Sequence, residues 1–256
     1  MVNINKKLLE DLNEDGVTIV PSVLNASEVA VLRQELENAI ADDCINYPDV
    51  FDKGMVHNCM VRGKNMAQLL DHPVFNAYLK AAFSETCIIY AYQSSSLPPH
   101  QKNYGSRIHV DSPRFILDYQ TNLGVIFPLD DFTLENGATH YLKGSHKRET
   151  LPTDEEFFPH ASRACCKAGD MIFFCGRTVH AAGFNSTDKT RHSLTINICR
   201  SYMRQRFDFP RLVPETIINS LGEDGRRLLG MNVRVPISLE EFYFPPEKRL
   251  YKPNQG

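Results

Sequence analysis

Two side chains with metal-binding lone pairs stand one residue apart in the run Arg107-Ile-His109-Val-Asp111-Ser-Pro113. The run reads as extended, and side chains two apart along an extended chain point the same way. An imidazole and a carboxylate on one face are two of the three ligands of a two-His-one-carboxylate iron site, whose remaining positions stay open to small molecules. A chain with this many His and Asp contains such a pair by chance about half the time, so the pair needs a third ligand. Taken alone, it better fits an aspartate orienting a structural histidine in a turn.

His180 is the candidate third ligand. It follows the apolar run Met171 to Cys175 in Arg177-Thr-Val-His180-Ala-Ala-Gly183. A histidine at a strand end beside a glycine turn is placed to point into a barrel mouth. A core imidazole bonded to backbone is the alternative for that residue. Eleven residues on, Arg191, Ser193, Thr195 and Asn197 alternate with Leu194, Ile196 and Ile198. One face of this strand is therefore apolar and the other carries a guanidinium, two hydroxyls and an amide, lining either solvent or a wet cavity. Arg191 with Ser193 offers what a buried dicarboxylate needs, a rigid fork for bidentate binding plus a hydroxyl donor.

The elements that must position these groups can be read in turn. Leu8, Leu9 and Leu12 predict a short helix, Val17 to Val20 a strand, and Asn25 with Glu28 a capping box opening a helix over about Ala26 to Asp43. Pro73 to Phe83 predicts a second long helix, and Cys87 to Tyr92 a buried strand. After Asp111 the pattern turns to short strands between turn signals: Leu123 to Leu129, Ala138 to Leu142, Met171 to Cys175 and Ser193 to Cys199. Pro214 to Met231 reads as one last helix. Residues 45–66 and 94–105 have no clean period and are candidates to cover a site. The expected fold is mainly β with helical decoration, a double-stranded β-helix (jelly roll, cupin-like) forming a single domain over residues 1–256.

Composition narrows the partners. With 42% hydrophobic and 23% charged residues the 256-residue chain is an ordinary soluble globule in its balance. A net charge of −3 argues against nucleic acid as the main partner. Met1 to Asn13 lacks the apolar core of a signal peptide, and no apolar run is long enough to span a bilayer. Seven scattered cysteines without a C-x-x-C pair read as reduced thiols in a cytoplasmic protein and disfavour structural zinc. The other histidines, among them His192 on the parity opposite to Arg191, read as packing, surface or turn residues.

Together, His109-x-Asp111, His180 and Arg191 resemble the phytanoyl-CoA dioxygenase family of Fe(II)/2-oxoglutarate oxygenases, from about Glu14-Asp15-Gly16 to Pro210. Asn136-Gly137 with Gly144-Ser145-His146, and Gly169-Asp170-Met171-Ile172 leading to His180, are similar to that family's segments. Arg204-Gln205 and Leu228-Leu229-Gly230 are similar to its small-molecule biosynthetic branch. The resemblance implies that His109, Asp111 and His180 hold Fe(II), leaving positions for 2-oxoglutarate and O2. It also implies that Arg191 binds the distal carboxylate of 2-oxoglutarate, with Ser193 or Thr139 as hydroxyl partner. Arg107 is expected to contact 2-oxoglutarate or substrate, and Phe127 to wall the pocket. Related halogenases lack the carboxylate, so Asp111 favours oxidation over halogenation. The expected partner is a small biosynthetic intermediate rather than an acyl-CoA, and the expected state a monomer or homodimer. A cupin-like metal-binding protein without oxygenase activity remains the alternative; it would not need Arg191.

Overall fold

The structure is a computed structural model and describes residues 2–255. Among these residues the strands are β1 (Val17–Val20), β2 (Ile88–Ser94), β3 (Asn122–Pro128), β4 (His140–Tyr141), β5 (Ser162–Arg163), β6 (Met171–Cys175), β7 (His180–Ala181) and β8 (Ser193–Cys199). They form a five-stranded sheet in the order β1-β6-β3-β8-β2 and a three-stranded sheet in the order β5-β4-β7. Every strand pair is antiparallel. More of the described residues lie in helices than in strands, so the expectation of a mainly β protein is corrected to antiparallel sheets with substantial helix. The excess comes from helices in the N-terminal hundred residues, which also supply the two edge strands β1 and β2, and from helices after β8.

Parity along the strands decides where the core lies. In β8, Leu194, Ile196 and Ile198 are fully buried, and they join Leu123, Val125 and Phe127 of β3 and Met171, Phe173 and Cys175 of β6 in one apolar cluster. The same cluster contains Leu32, Leu36 and Ala39 of the helix Ala26–Asn46 and Phe75, Tyr78 and Leu79 of the helix Pro73–Ala82. The largest core thus lies under the helices, on the outer face of the five-stranded sheet. A smaller cluster (Val17, Ile172, Phe174, Phe132, Ala138 and Ala164) joins the opposite face of that sheet to the segments around β4 and β5. The polar parity of β8 is left to line the space between the sheets.

The helix Ala26–Asn46 starts at the expected cap. Asn25 Oδ1 accepts from the Ser27 and Glu28 amides at 2.9 and 3.1 Å, and Glu28 Oε2 accepts from the Asn25 amide at 2.8 Å. The expected single helix over Pro214 to Met231 is corrected. Helix runs over Glu215–Ser220, breaks, and resumes over Glu223–Leu228. The break is held from outside the segment: Asp71 accepts hydrogen bonds from the Gly222 and Gly225 amides at 2.8 and 2.7 Å. A distant carboxylate occupies the amides that a continuous helix would have used internally.

Candidate metal centre and cavity

The Arg107 to Pro113 run is extended but is not a strand; a single antiparallel bridge joins it to β7. The bridge pairs the two candidate imidazole ligands themselves. The His109 amide donates to the His180 carbonyl at 3.0 Å, and the His180 amide donates to the His109 carbonyl at 3.0 Å. In such a pair the side chains emerge side by side on one face. The rings accordingly sit with centroids 4.2 Å apart. β4 holds β7 in place from its other edge through the Tyr141–His180 register.

Each imidazole is oriented by its own backbone. His109 Nδ1 lies 2.8 Å from the Arg107 carbonyl and His180 Nδ1 lies 2.9 Å from the Thr178 carbonyl. A carbonyl only accepts, so each Nδ1 carries a proton, the tautomer that in the neutral ring leaves the Nε2 lone pair free. Both lone pairs face Asp111, whose Oδ1 stands 3.7 Å from His109 Nε2 and 4.0 Å from His180 Nε2. Those separations are too long for direct hydrogen bonds. One ligand atom from each of the three residues lies within 4.8 Å of the others. Neutral nitrogen donors with one carboxylate, oriented but not consumed by each other, form a donor set that fits a ferrous ion. Burial, and then the nearby His180, lower the His109 pKa, which favours the neutral form that a metal requires.

The second carboxylate oxygen is also held. Asn197 Nδ2 donates to Asp111 Oδ2 at 3.1 Å, and Asn122 Nδ2 donates to Asn197 Oδ1 at 3.3 Å. Phe174 packs over the other side of the His180 ring, with centroids 4.9 Å apart. That ring occupies the space above Gly124 on the adjacent strand, where an added Cβ would stand 2.0 Å from Phe174. Glycine at 124 therefore makes room for the aromatic wall of the site.

Arg191 lies deeper in the same cavity. It is 2% exposed, Nη1 donates to the Gly137 carbonyl, and the guanidinium lies 4.0 Å above the Phe132 ring. Its Nε is buried with no protein partner among the described residues. Burial lowers its pKa to about 10, which leaves it charged at neutral pH. A buried guanidinium with no carboxylate beside it and an unused N–H costs stability unless an anion joins it. Gly137, at φ +79°, is needed at the contact: a Cβ there would come within 2.9 Å of the Gly183 carbonyl.

The cavity holds about 300 Å³ and is lined by Ser193, Thr195 and Asn197 of β8 and by Arg191, two residues before the strand on the same parity. The polar face of β8 therefore looks into a cavity and not into solvent. Arg107, Thr139, His109, Asp111 and His180 line the same space. The Ser193 hydroxyl donates to the Ser95 carbonyl at 3.1 Å, whereas the Thr139 hydroxyl has no protein partner among the described residues. Both loop candidates contribute, through Met55 of 45–66 and through Ser95, Tyr104 and Gly105 of 94–105.

Phe127 does not wall the cavity. It is fully buried on the core side of β3, edge-on to Phe75 with ring centroids 5.5 Å apart. The register explains the correction: Phe127 pairs with Leu194 of apolar parity, while Ile126, which does line the cavity, pairs with Thr195. His192 points away as expected, its Nδ1 2.8 Å from the Ser96 hydroxyl. Sequence reasoning missed the roles of Asn197, Phe132, Phe174 and Gly124. For Asn197, the polar parity of β8 was a visible signal, but the residue it would hold was not.

Comparisons with known proteins place the chain as a whole among relatives. The sequence profile of Phytanoyl-CoA dioxygenase (PhyH) matches residues 12–193. An uncharacterized protein of Mycobacterium tuberculosis is 28% identical over 255 residues, covering 96% of this chain and 93% of its own length. The Fe(II)/2-oxoglutarate-dependent dioxygenase nvfF of Aspergillus novofumigatus is 26% identical over 240 residues, covering 85% of this chain and 78% of its own. Among solved structures, the epimerase SnoN in complex with Fe3+, alpha ketoglutarate and nogalamycin RO is similar with a TM-score of 0.62 at 22% identity. That match covers 82% of this chain and 90% of the other and shows a shared fold. No helix among the described residues is long and apolar enough to cross a membrane.

Proposed function

The chain belongs to the phytanoyl-CoA dioxygenase family, and from that premise we propose that it is a single-domain Fe(II)- and 2-oxoglutarate-dependent oxygenase of a small organic molecule. The observation that carries the reading is the buried Arg191 guanidinium, which has no ion-pair partner among the described residues and an unused Nε, in the same cavity as the His109, Asp111 and His180 donor set. A metal-binding protein with no dicarboxylate cosubstrate would have no use for that charge.

His109, His180 and Asp111 would hold the ferrous ion, the imidazoles through Nε2. When bound, the ion and 2-oxoglutarate supply oxidative decarboxylation to succinate and carbon dioxide with O2, coupled to oxidation of a substrate C–H bond. Arg191 would pair with the distal carboxylate, and Thr139 is the better hydroxyl partner because the Ser193 hydroxyl already donates to Ser95. Asn197 fixes the Asp111 carboxylate so that one oxygen remains for the metal. Phe174 and Phe132 keep water from the imidazole and guanidinium faces. The intact Asp111 favours oxidation over halogenation, and the substrate is a biosynthetic intermediate. Cytoplasmic location and a monomeric or homodimeric state complete the reading.

The test is direct. Purified protein given Fe(II), O2 and labelled 2-oxoglutarate releases labelled succinate, and Asp111→Ala does not. Wild-type protein that retains neither Fe(II) nor 2-oxoglutarate in equilibrium dialysis would sink the reading.

A further inference from the structure

Three arginines line the cavity, Arg191 at its inner end and Arg107 and Arg206 among its exposed residues, and Asp111 is the one acidic residue in the lining. The arginines that form ion pairs among the described residues are Arg33, Arg62, Arg211 and Arg227, all outside the cavity. Arg107 and Arg206 have neutral partners instead. The Arg107 guanidinium lies 4.2 Å above the Tyr104 ring and Nη2 donates to the Tyr104 hydroxyl. The Arg206 guanidinium lies 5.7 Å from the Tyr90 ring centre, and Nη1 donates to Gln93 Oε1 at 3.0 Å. Tyr104, Tyr90 and Gln93 line the same cavity.

We propose that Arg107 and Arg206 together bind an oxyanion group of the substrate, a carboxylate or a phosphate monoester, at the mouth of the cavity. The inference rests on the oxygenase reading above and adds the substrate's chemical class to it. With the cosubstrate in place the inner charges cancel: the ferrous ion and Arg191 are matched by Asp111 and the two carboxylates of 2-oxoglutarate. The two mouth arginines then stand as uncompensated positive charge in a partly enclosed space, which draws anions. Each guanidinium has five N–H donors and spends one on its neutral partner, so a bidentate edge remains available for an oxyanion. Stacking on tyrosine and a neutral hydrogen bond orient each fork without neutralising it, which lowers the ordering cost of capture. An anion held there directs the rest of the molecule inward, past the loop residues, to the metal ligands.

The experiment is equilibrium dialysis of protein loaded with Fe(II) and saturating 2-oxoglutarate under anaerobic conditions. The probes are octanoate, octyl phosphate and octanamide, and 2-naphthoate, 2-naphthyl phosphate and 2-naphthamide. At least one anion is expected to bind tenfold or more tightly than the amide on the same skeleton. Arg107→Gln and Arg206→Gln should each bring that anion's affinity down at least tenfold, toward that of the amide, without changing amide binding. Preference for octanoate and naphthoate identifies a carboxylate, and preference for the phosphates a phosphate monoester. Equal retention of anions and amides, including no retention of any probe, overturns the proposal, as does wild-type anion affinity in both variants. Labelled 2-oxoglutarate in the same cells separates the two claims. Protein that retains 2-oxoglutarate without anion preference disproves only this inference, whereas protein that retains none disproves the oxygenase reading.

Discussion

The inner end of the cavity and its mouth are made from different kinds of structure. At the inner end, side chains come from β8, from a backbone bridge that pairs His109 with His180, and from a glycine contact that seats Arg191. At the mouth, Met55, Tyr104 and Arg107 come from connections between strands and Arg206 from the stretch after β8, where it leans on Tyr90 and Gln93 of β2. Inner groups have their orientations fixed by several partners at once, as when Asp111 is held by Asn197 and Asn197 by Asn122. Each mouth arginine rests on one ring and one side-chain hydrogen bond, and Phe51, which meets Tyr104 edge-on, is 84% exposed. A metal and a fixed cosubstrate need the same geometry in every turnover, and rigid elements supply it. A mouth built of loops can differ among proteins of one fold without disturbing the chemistry behind it.

Substitutions test how sharp that division is. The largest effect is expected from His180→Ala or Asp111→Ala, which should abolish both iron retention and succinate release, measured by metal analysis and product assay. Substantial turnover in either variant would show that the inner end does not depend on these ligands. Arg191→Gln should weaken 2-oxoglutarate binding by about 3 kcal/mol, roughly 100-fold, in dialysis, while iron retention persists. Next, Asn197→Ala should lower iron affinity by roughly tenfold because Asp111 loses its orienting donor. An unchanged iron titration would mean that the backbone alone positions Asp111.

A smaller effect belongs to the back of the same strand. Burial lowers the His192 pKa from the ordinary 6.5, so the folded state resists protonation that the unfolded chain accepts. Its contribution to stability is complete above about 6.5 and is lost as pH falls from there toward the lowered value. Denaturant titrations of metal-free protein should show less loss of stability over that window in His192→Asn than in wild type. The smallest effect is expected at the mouth. Phe51→Ala should change stability by less than about 0.5 kcal/mol. A larger loss in thermal unfolding would place the mouth with the rigid inner end.

Much of the inner end was legible in the chain because strand alternation is a local rule. Ser193, Thr195 and Asn197 had to share a face once β8 was read as a strand, extended chain carries the same parity back to Arg191, and the cavity is lined by all four. Phe127 was misread because its own alternation does not say which parity faces which sheet; that depends on registering β3 against β8. The last helix was misread because its break is made by Asp71, more than a hundred residues earlier. Arg206 gave no local sign of a role, since its place beside Gln93 depends on how the chain returns after β8.

By itself, the sequence determined the residue types that chemistry requires, the parity of β8 and the capped helix from Ala26, since each follows from neighbours within a few positions. Only the tertiary structure decided that His109 and His180 would pair through their backbones and that Asp111 would be held by Asn197. It also put the main core outside the sheet, beneath the helices, so that a polar strand face could line a cavity. The physical reason is that hydrogen bonds and close contacts between distant segments depend on register and packing, which local periodicity does not encode.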